Sequence, residues 1–309
     1  MKLVRFDKRS EDNDYIASTD ITLDAKGVIK NTTSGDYYYV KSDDYIYRYN
    51  VSGLVEVKSS TTVASNNYIP TLCLNKLGTI LVYINSGANT VVFYNALTMV
   101  QTESRSITTT TAIKPILDKL YTKLFYSDSN VSYIDLSDDT IYASTAATKP
   151  LYIIDKLNTN IYTVTATGDL LIEYSINVDG SIGDGVGGTG YTTIHDYSEE
   201  SLNSFVDITI DSDGYIMLLV HPTSTTSRVD RINSVGTIIK SITLSGIYTW
   251  MSLDTFQNLY LCRNDAVVKN IVRYDSNLGN RFVIADGLTI DTPGIDSLGY
   301  INSEITGSI

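Results

Sequence analysis

The chain has 309 residues, a formal net charge of −12 and 43% hydrophobic residues, so it can bury a sizeable core and is not intrinsically disordered. Its acidity argues against nucleic acid and anionic membrane surfaces as partners, because both carry negative charge. Serine and threonine number 32 and 37, and 24 tyrosines stand against 6 phenylalanines and 1 tryptophan. β-Branched and aromatic side chains suit strands, and strong helix formers are scarce, so we predict an all-β fold.

A strand-like segment that ends in Asn, Asp or Ser recurs seven times along the chain. Its closing residues are Asp7, Asn50, Asn95, Asp135, Ser175, Asn233 and Asp275. Successive spacings are 43, 45, 40, 40, 58 and 42 residues, and the distance from Asp275 through the C-terminus and round to Asp7 is 41. The two ends of the chain are therefore expected to be neighbours.

A second marker, an apolar segment closed by Asp or Asn and followed by a turn, alternates strictly with the first. Its closing residues are Asp24, Asn75, Asp118, Asp155, Asp211, Asp254 and Asp296. We interpret these side chains as turn formers, because a short carboxylate or amide bonds nearby backbone N–H groups. Each is followed by a short strand rich in large apolar residues, which gives four strands per repeat of roughly 44 residues.

This repeat predicts a seven-bladed β-propeller with four-stranded blades, formed as a single domain by residues 1–309. Residues 2–18 parallel residues 270–286, whereas 293–305 supply only two strands of a unit. We therefore expect 1–18 and 293–309 to form one composite closing blade, which would remove exposed sheet edges. Tyrosine is expected to fill the outer parts of the blades and to direct its hydroxyl outward.

Three segments carry a resemblance to a known group of proteins: ITIDSDGYIMLL (208–219), LDTFQNLYLC (253–262) and IDSLGYI (295–301). They resemble the repeats of NHL-type and related bacterial propellers, a group that includes streptogramin lyase. The resemblance covers the whole chain as a repeat signature and implies the propeller fold. For the lyase it implies a histidine base and a metal-bound substrate near the propeller axis, but the lyase's catalytic residues match no motif here.

Few residues qualify for catalysis, and none is predicted to be catalytic. The two histidines are His195, which Asp196 could orient, and His221, at the end of an apolar strand. They are too few for a multi-histidine metal centre. Cys73 and Cys262 lie 189 residues apart, without a second Cys or a His at metal-ligand spacing, and read as buried thiols.

Two segments, 211–214 and 177–180, open like calcium loops but do not continue to a bidentate Glu at the twelfth position. Asp-Gly hairpin turns explain both. The sequence therefore predicts no metal site and no cofactor.

The one long interval in the repeat falls at 177–203, where the sequence is rich in glycine. Extra length of this kind is expected to project as a loop, either as simple loop drift or as a contact element for a partner. The residues of a possible partner contact are Asp179, Asp184, Tyr191, His195, Asp196, Glu199 and Glu200.

Three functions stay open at this stage. The first, which we favour, is a non-enzymatic structural or binding propeller within a larger assembly such as a phage or other viral particle. Its composition, rich in Ser, Thr, Tyr and Asn and poor in Lys, is reminiscent of virion proteins. The others are an intracellular protein-binding scaffold and a metal-dependent lactonase or lyase. We expect protein partners and no nucleic acid or membrane insertion.

The N-terminal segment lacks the apolar stretch of a secretory signal, and no run of about 18 apolar residues occurs. We therefore expect a protein of the cytoplasm or of a virion.

Overall fold

The computed structural model describes residues 2–6, 15–20, 28–30, 37–41, 45–50, 56–62, 72–75, 77–85, 88–107, 113–118, 120–127, 130–144, 148–155, 157, 159–183, 190–253, 257–264, 269–286, 289–295 and 301–306. Within these ranges the chain forms 29 β-strands and no α-helix. The prediction of an all-β fold is confirmed.

The strands follow one another at short intervals. In chain order they are β1 Lys2–Phe6, β2 Tyr15–Asp20, β3 Val28–Lys30, β4 Tyr37–Lys41, β5 Ile46–Asn50, β6 Glu56–Lys58, β7 Leu72–Leu74, β8 Ile80–Asn85, β9 Thr90–Asn95, β10 Gln101–Ser106, β11 Ile113–Leu117, β12 Lys123–Ser127, β13 Val131–Asp135 and β14 Ile141–Ala143. They continue as β15 Thr148–Ile154, β16 Asn160–Thr165, β17 Leu170–Ile176, β18 Ile182–Gly183, β19 Thr192–Asp196, β20 Ser204–Ile210, β21 Ile216–His221, β22 Thr226–Ile232, β23 Ile238–Ser245, β24 Tyr248–Leu253, β25 Leu259–Asn264, β26 Lys269–Tyr274, β27 Arg281–Asp286, β28 Thr289–Ile295 and β29 Ile301–Thr306.

Hydrogen bonds join these strands into seven sheets, in five of which each strand pairs with its neighbour in the chain. Sheets 1, 2 and 3 are β3-β4-β5-β6, β7-β8-β9-β10 and β11-β12-β13-β14, and sheet 4 is β15-β16-β17-β18 with β19 also on β17. Sheets 5 and 6 are β20-β21-β22-β23 and β24-β25-β26-β27. Sheet 7 has the order β28-β29-β1-β2.

Sheet 7 contains strands from both ends of the chain. β1 pairs antiparallel with β29, from Lys2 opposite Ile305 to Phe6 opposite Ile301. β2 pairs with the other edge of β1, and β28 pairs with the other edge of β29. Compared with the predicted segments 1–18 and 293–309, the observed strands extend to Asp20 and begin at Thr289.

The chain divides into two compact units. Unit 1 comprises Met1–Tyr126, Ile134–Ile141 and Ile284–Ile309, and unit 2 comprises Ser127–Tyr133 and Tyr142–Val283. In unit 1, β28 lies beside β3, β3 beside β7, and β7 beside β11. In unit 2, β15 lies beside β20, and β20 beside β24. Every one of these neighbours is the first strand of its sheet, so consecutive sheets within a unit approach each other along their first strands.

Both faces of a sheet are buried inside a unit, as β21 of sheet 5 illustrates. Ile216, Leu218 and Val220 pack in a cluster with apolar side chains of sheet 4. The alternate residues Met217 and Leu219 pack in a second cluster with side chains of sheet 6. Because successive side chains point to opposite faces, a strand buried on both faces needs an unbroken apolar sequence. This explains the apolar run of residues 215–220.

Buried tyrosines depart from the expectation that their hydroxyls point outward. Tyr39 is fully buried and donates to the carbonyl oxygen of Ala96 at 2.9 Å. The nearly fully buried Tyr94 shares a hydrogen bond of 2.8 Å with the Thr61 hydroxyl. Burial raises the pKa of Tyr94. These tyrosines lie on middle strands, and a buried hydroxyl there needs a hydrogen-bond partner within the protein.

The turns between first and second strands, which we call first turns, share five positions in sheets 2, 3 and 4: NKLGT at 75–79, DKLYT at 118–122 and DKLNT at 155–159. One side-chain oxygen of position 1 accepts the N–H groups of the residues four and five places on, at 2.7–3.2 Å. The threonine at position 5 bonds the same side chain at 2.8–2.9 Å. Asp211 of sheet 5 also accepts the N–H four residues on, at 2.9 Å.

These bonds confirm the turn-forming role predicted for Asn75, Asp118, Asp155 and Asp211. The other second-marker residues, Asp24, Asp254 and Asp296, lie outside the described residues.

We expect Asp118→Ala to lower the free energy of unfolding by about 1–3 kcal/mol, because it leaves two backbone N–H groups without their acceptor. Asp118→Asn should cost clearly less, since Asn75 holds the same turn in sheet 2. Urea denaturation of both variants measures the difference. Equal losses for Ala and Asn would show that the side-chain oxygen does not hold the turn.

Deletion of residues 1–20 removes β1 and β2 and leaves the backbone groups of β29 unpaired along one edge. We expect a loss of more than about 3 kcal/mol in the free energy of unfolding. Differential scanning calorimetry should show a clearly lower Tm, and a Tm within about 2 °C of the parent would contradict the role of sheet 7.

Candidate functional site

Three leucines stand exposed at position 3 of the first turns of sheets 2, 3 and 4. Leu77, Leu120 and Leu157 are 61%, 76% and 78% exposed. The first two belong to unit 1 and the third to unit 2. Scattered exposed leucines are ordinary, but recurrence at one position of a repeated turn is not random scatter.

The fold does not require leucine at position 3. The turn is closed by the side chains at positions 1 and 5, and sheet 5 carries the exposed Asp213 at the equivalent place. A polar residue therefore fits the same backbone and would keep apolar surface out of water. The leucines call for an explanation outside folding.

Tyr121 connects two of these turns in unit 1. Its hydroxyl accepts the backbone N–H of Leu77 at 3.1 Å, from the first turn of sheet 3 to that of sheet 2. Tyr121 occupies position 4 with φ 58°, where sheet 2 has Gly78 with φ 65°. A bulky residue in this left-handed region is strained, so we expect its side chain to make an interaction that compensates for the strain. The contact ties the backbone of Leu77 to the neighbouring turn, which carries Leu120.

The 177–203 segment differs from its predicted form as a projecting loop. β18 pairs with β17 at Ser175 and Ile176, and β19 pairs with β17 from Leu170 to Glu173. Both therefore lie along the same strand, β17, and residues 184–189 between them lie outside the described residues. The correction has a physical reason: 191–197 reads YTTIHDY, which contains no glycine and suits a strand.

The structure separates the residues of the predicted partner contact. Asp179 lies on the turn after β17, where its carboxylate accepts the N–H of Ser181 at 2.9 Å. Asp196 ends β19 opposite Leu170, and Glu199 and Glu200 follow it, which places the three at the other end of β17. Tyr191 is 37% exposed and meets Tyr174 edge to face. Asp184 lies outside the described residues.

His195 and Tyr197 hold β19 against sheet 5. His195 Nδ1 donates to the carbonyl oxygen of Gly236 at 2.7 Å, and its ring packs edge to face on Tyr197. A Cβ on Gly236 would come within 1.7 Å of the carbonyl oxygen of Ile194, so this close approach requires glycine. Burial raises the pKa of Tyr197, whose hydroxyl donates to Asp230 at 3.1 Å. His195 is therefore a packing residue here.

Glu200 is likewise engaged within the chain. It pairs with Arg228 at 2.7 Å, and Arg228 also donates to the fully buried Asp230 at 2.7 and 3.0 Å. Ser241 donates to the other oxygen of Asp230 at 2.5 Å. Of the predicted contact residues in the described ranges, Asp179, Tyr191, Asp196 and Glu199 present exposed side chains. The Ser198 hydroxyl and backbone N–H lower the pKa of Asp196.

His221 joins three strands of unit 2. Its Nε2 donates to the carbonyl oxygen of Tyr248 at 2.8 Å, and its Nδ1 accepts the Ser204 hydroxyl at 3.1 Å. Asp207, on the first strand of sheet 5, accepts the backbone N–H of Met251 on the first strand of sheet 6 at 3.0 Å. These polar groups fasten neighbouring strands to one another.

A polar cleft of about 180 Å³ opens in unit 2 beside the first turn of sheet 5. Ser212, Asp213, Gln257, Ser276 and Asn277 line it, together with the ion pair of Asp211 and Arg231. Sequence reasoning missed this cleft, because its residues come from four separate turns and strand ends.

Over the described ranges, no three His, Cys, Asp or Glu side chains lie close enough together to hold a metal ion. No helix in the described part of the chain is long and apolar enough to span a bilayer. Cys262 is buried and Cys73 is half-buried, and neither forms a disulfide. Desolvation raises the pKa of Cys73 to about 12, which keeps this thiol protonated at neutral pH.

No protein-family model matches the chain, and no curated protein matches it. Solved structures that are similar to this chain include the following two. Hydrazine synthase of Kuenenia stuttgartiensis has a TM-score of 0.64 at 12% identity, over 94% of this chain and 98% of that one. A functionally unknown protein of Desulfotomaculum acetoxidans has a TM-score of 0.64 at 11% identity, over 92% and 95%.

Hydrazine synthase has β-propeller domains, so the similarity supports a β-propeller-like fold. At these identities it concerns the fold alone. It does not show an NHL-type or streptogramin-lyase family.

Deletion of residues 184–190 tests whether β18 and β19 both belong to the outer edge of sheet 4 through their pairing with β17. Gly183 pairs with Ser175 and Thr192 with Glu173, so one residue, Tyr191, would then stand opposite Tyr174 and complete a continuous strand. We expect Tm to stay within about 2 °C of the parent or to rise, because a shorter loop costs less entropy on folding. Deletion of 190–196, the same number of residues but including β19, is the matched control and should lower Tm strongly. Similar Tm values for the two deletions would contradict the pairing of β19.

Proposed function

We propose that this chain is a non-enzymatic, seven-bladed β-propeller that binds protein partners as a component of a larger assembly, such as a phage or other viral particle. The ring is supported by the seven sheets, by the side-by-side first strands within each unit, and by a sheet that both ends of the chain share. In such a ring, sheet 7 is the closing blade.

The observation that carries the binding role is the repeated exposure of leucine at position 3 of the first turns. In unit 1 the surface consists of Leu77 and Leu120, braced by Tyr121. Rigid apolar groups on turns lose little entropy on binding and remove apolar area from water. Loops on a rigid scaffold are where binding residues concentrate.

The sequence also indicates the chemistry of the partner. A lysine precedes each of the three leucines directly, at 76, 119 and 156. In these three turns a cationic residue therefore stands directly before the exposed leucine in the sequence, within a chain whose net charge is −12. In sheets 3 and 4 the carboxylate at position 1 is engaged by backbone N–H groups of its own turn. A protein segment that presents apolar side chains beside carboxylates complements this combination.

The experiment replaces the parent gene in its native source with Leu77→Ser/Leu120→Ser and follows the chain by sedimentation. We expect the parent to sediment far ahead of a 34.1 kDa monomer, and the double variant to shift to the monomer fraction. Leu157→Ser asks the same question of the turn in unit 2. Val100→Ser, a 51% exposed apolar residue of unit 1 outside the first turns, is the matched control and should behave as the parent.

Two outcomes would overturn parts of the proposal. A parent chain that sediments as a monomer contradicts the role in an assembly. A double variant that enters the assembly as the parent does contradicts the leucine surface and leaves the segment 177–203 as the candidate contact.

A further inference from the structure

The polar cleft of unit 2 is separate from the leucine surface and has fixed walls. Gln257 Oε1 accepts the backbone N–H of Ser212 at 2.6 Å, which ties the first turns of sheets 5 and 6 together. Lys240 Nζ donates to the carbonyl oxygen of Asn277 at 2.6 Å. The Asn277 N–H is in turn bonded to Asp275 at 3.0 Å. A site whose walls are held in this way loses little entropy when it binds a ligand.

The walls argue against a cation as the ligand. One oxygen of Asp211 accepts the N–H groups of Asp213 and Tyr215, both at 2.9 Å. The other accepts two bonds from Arg231, at 2.6 and 3.0 Å. Both oxygens are therefore engaged, and a positive guanidinium stands beside them. Among the described residues that line the cleft, Asp213 is the single carboxylate that a cation could reach, which is too few for Ca²⁺.

The charge balance also argues against an anion. The charge of Arg231 is matched by Asp211, and its guanidinium lies over the Tyr215 ring at 4.3 Å. Asp213 adds a negative charge at the rim of the same cleft. An apolar ligand is disfavoured as well, because every lining side chain among the described residues is polar and would lose water without gaining a partner.

A neutral ligand that both donates and accepts hydrogen bonds remains. Serine hydroxyls and the Asn277 and Gln257 amides do both, and the Asp213 carboxylate accepts from hydroxyl groups. A volume of about 180 Å³ corresponds to roughly six waters at their share of liquid volume. That space suits one face of a single sugar ring with its hydroxyls.

We propose that this cleft binds a neutral polyhydroxylated ligand, one uncharged sugar residue of a glycan. Because the cleft is open to solvent, we expect weak binding, with a dissociation constant of about 1 mM for a free monosaccharide. This site is independent of the leucine surface, so Leu77→Ser/Leu120→Ser should bind the sugar as the parent does.

The test is saturation-transfer NMR on the full chain with glucose, galactose, mannose and N-acetylglucosamine as separate probes. We expect saturable transfer to at least one of them. In Asp213→Ala and Asn277→Ala we expect the dissociation constant to be at least tenfold larger. Both residues are exposed, so Tm should stay unchanged. Asp169→Ala, which removes an equal charge from an exposed turn of sheet 4, is the matched control and should bind as the parent.

The proposal fails if none of the four sugars shows saturable transfer. It also fails if Asp213→Ala and Asn277→Ala bind as tightly as Asp169→Ala, because the sugar then sits elsewhere. Competition by calcium chloride or inorganic phosphate at a concentration similar to that of the sugar would show a charged ligand and overturn the inference of neutrality.

Discussion

Burial of both faces of each sheet against its neighbours is the constraint on which the rest of the structure of each unit depends. In β8 of unit 1, Leu81 and Tyr83 pack towards sheet 1, whereas Val82 and Ile84 pack towards sheet 3. A sheet placed in this way has no face left for water or for a partner. Variation without loss of packing is therefore confined to the turns at the ends of the strands and to the outer strand of each sheet, and the candidate sites lie there.

The turns tolerate this variation because their hydrogen bonds are made mainly by the side chain at position 1. Asp118 and Asp155 each satisfy two backbone N–H groups, and the threonine at position 5 completes the bond network. The residue types at positions 3 and 4 can therefore differ between turns without loss of these bonds. Leu120 at position 3 is exposed. Tyr121 at position 4 adopts a left-handed backbone conformation, and its hydroxyl bonds Leu77 in the first turn of sheet 2. Gln257 repeats this arrangement in unit 2, with φ 65° and a bond to Ser212.

Much of the fold could be predicted from the sequence because the determinants are local and repeated. The closing residues Asn75, Asp118, Asp155 and Asp211 mark turns by a side-chain bond that spans only four residues. The buried hydroxyl of Tyr39 could not be foreseen, since its acceptor, Ala96, is 57 residues away on another sheet. The candidate sites were harder still. The leucine repeat is visible as KL at three equal places, but only the structure shows that these side chains are exposed.

The 177–203 segment shows why glycine content alone misled the sequence interpretation. Glycine indicates where a strand can end. The length of the unpaired segment, however, depends on where the following residues can again pair in the sheet. Thr192 and Thr193 are β-branched and resume pairing with Glu173 and Ile172 of β17. Tyr197 then anchors the return in the core between sheets 4 and 5. The ladder with β17 and a buried aromatic therefore fix β18 and β19, so a change in the length of the segment that joins them need not disturb the sheet.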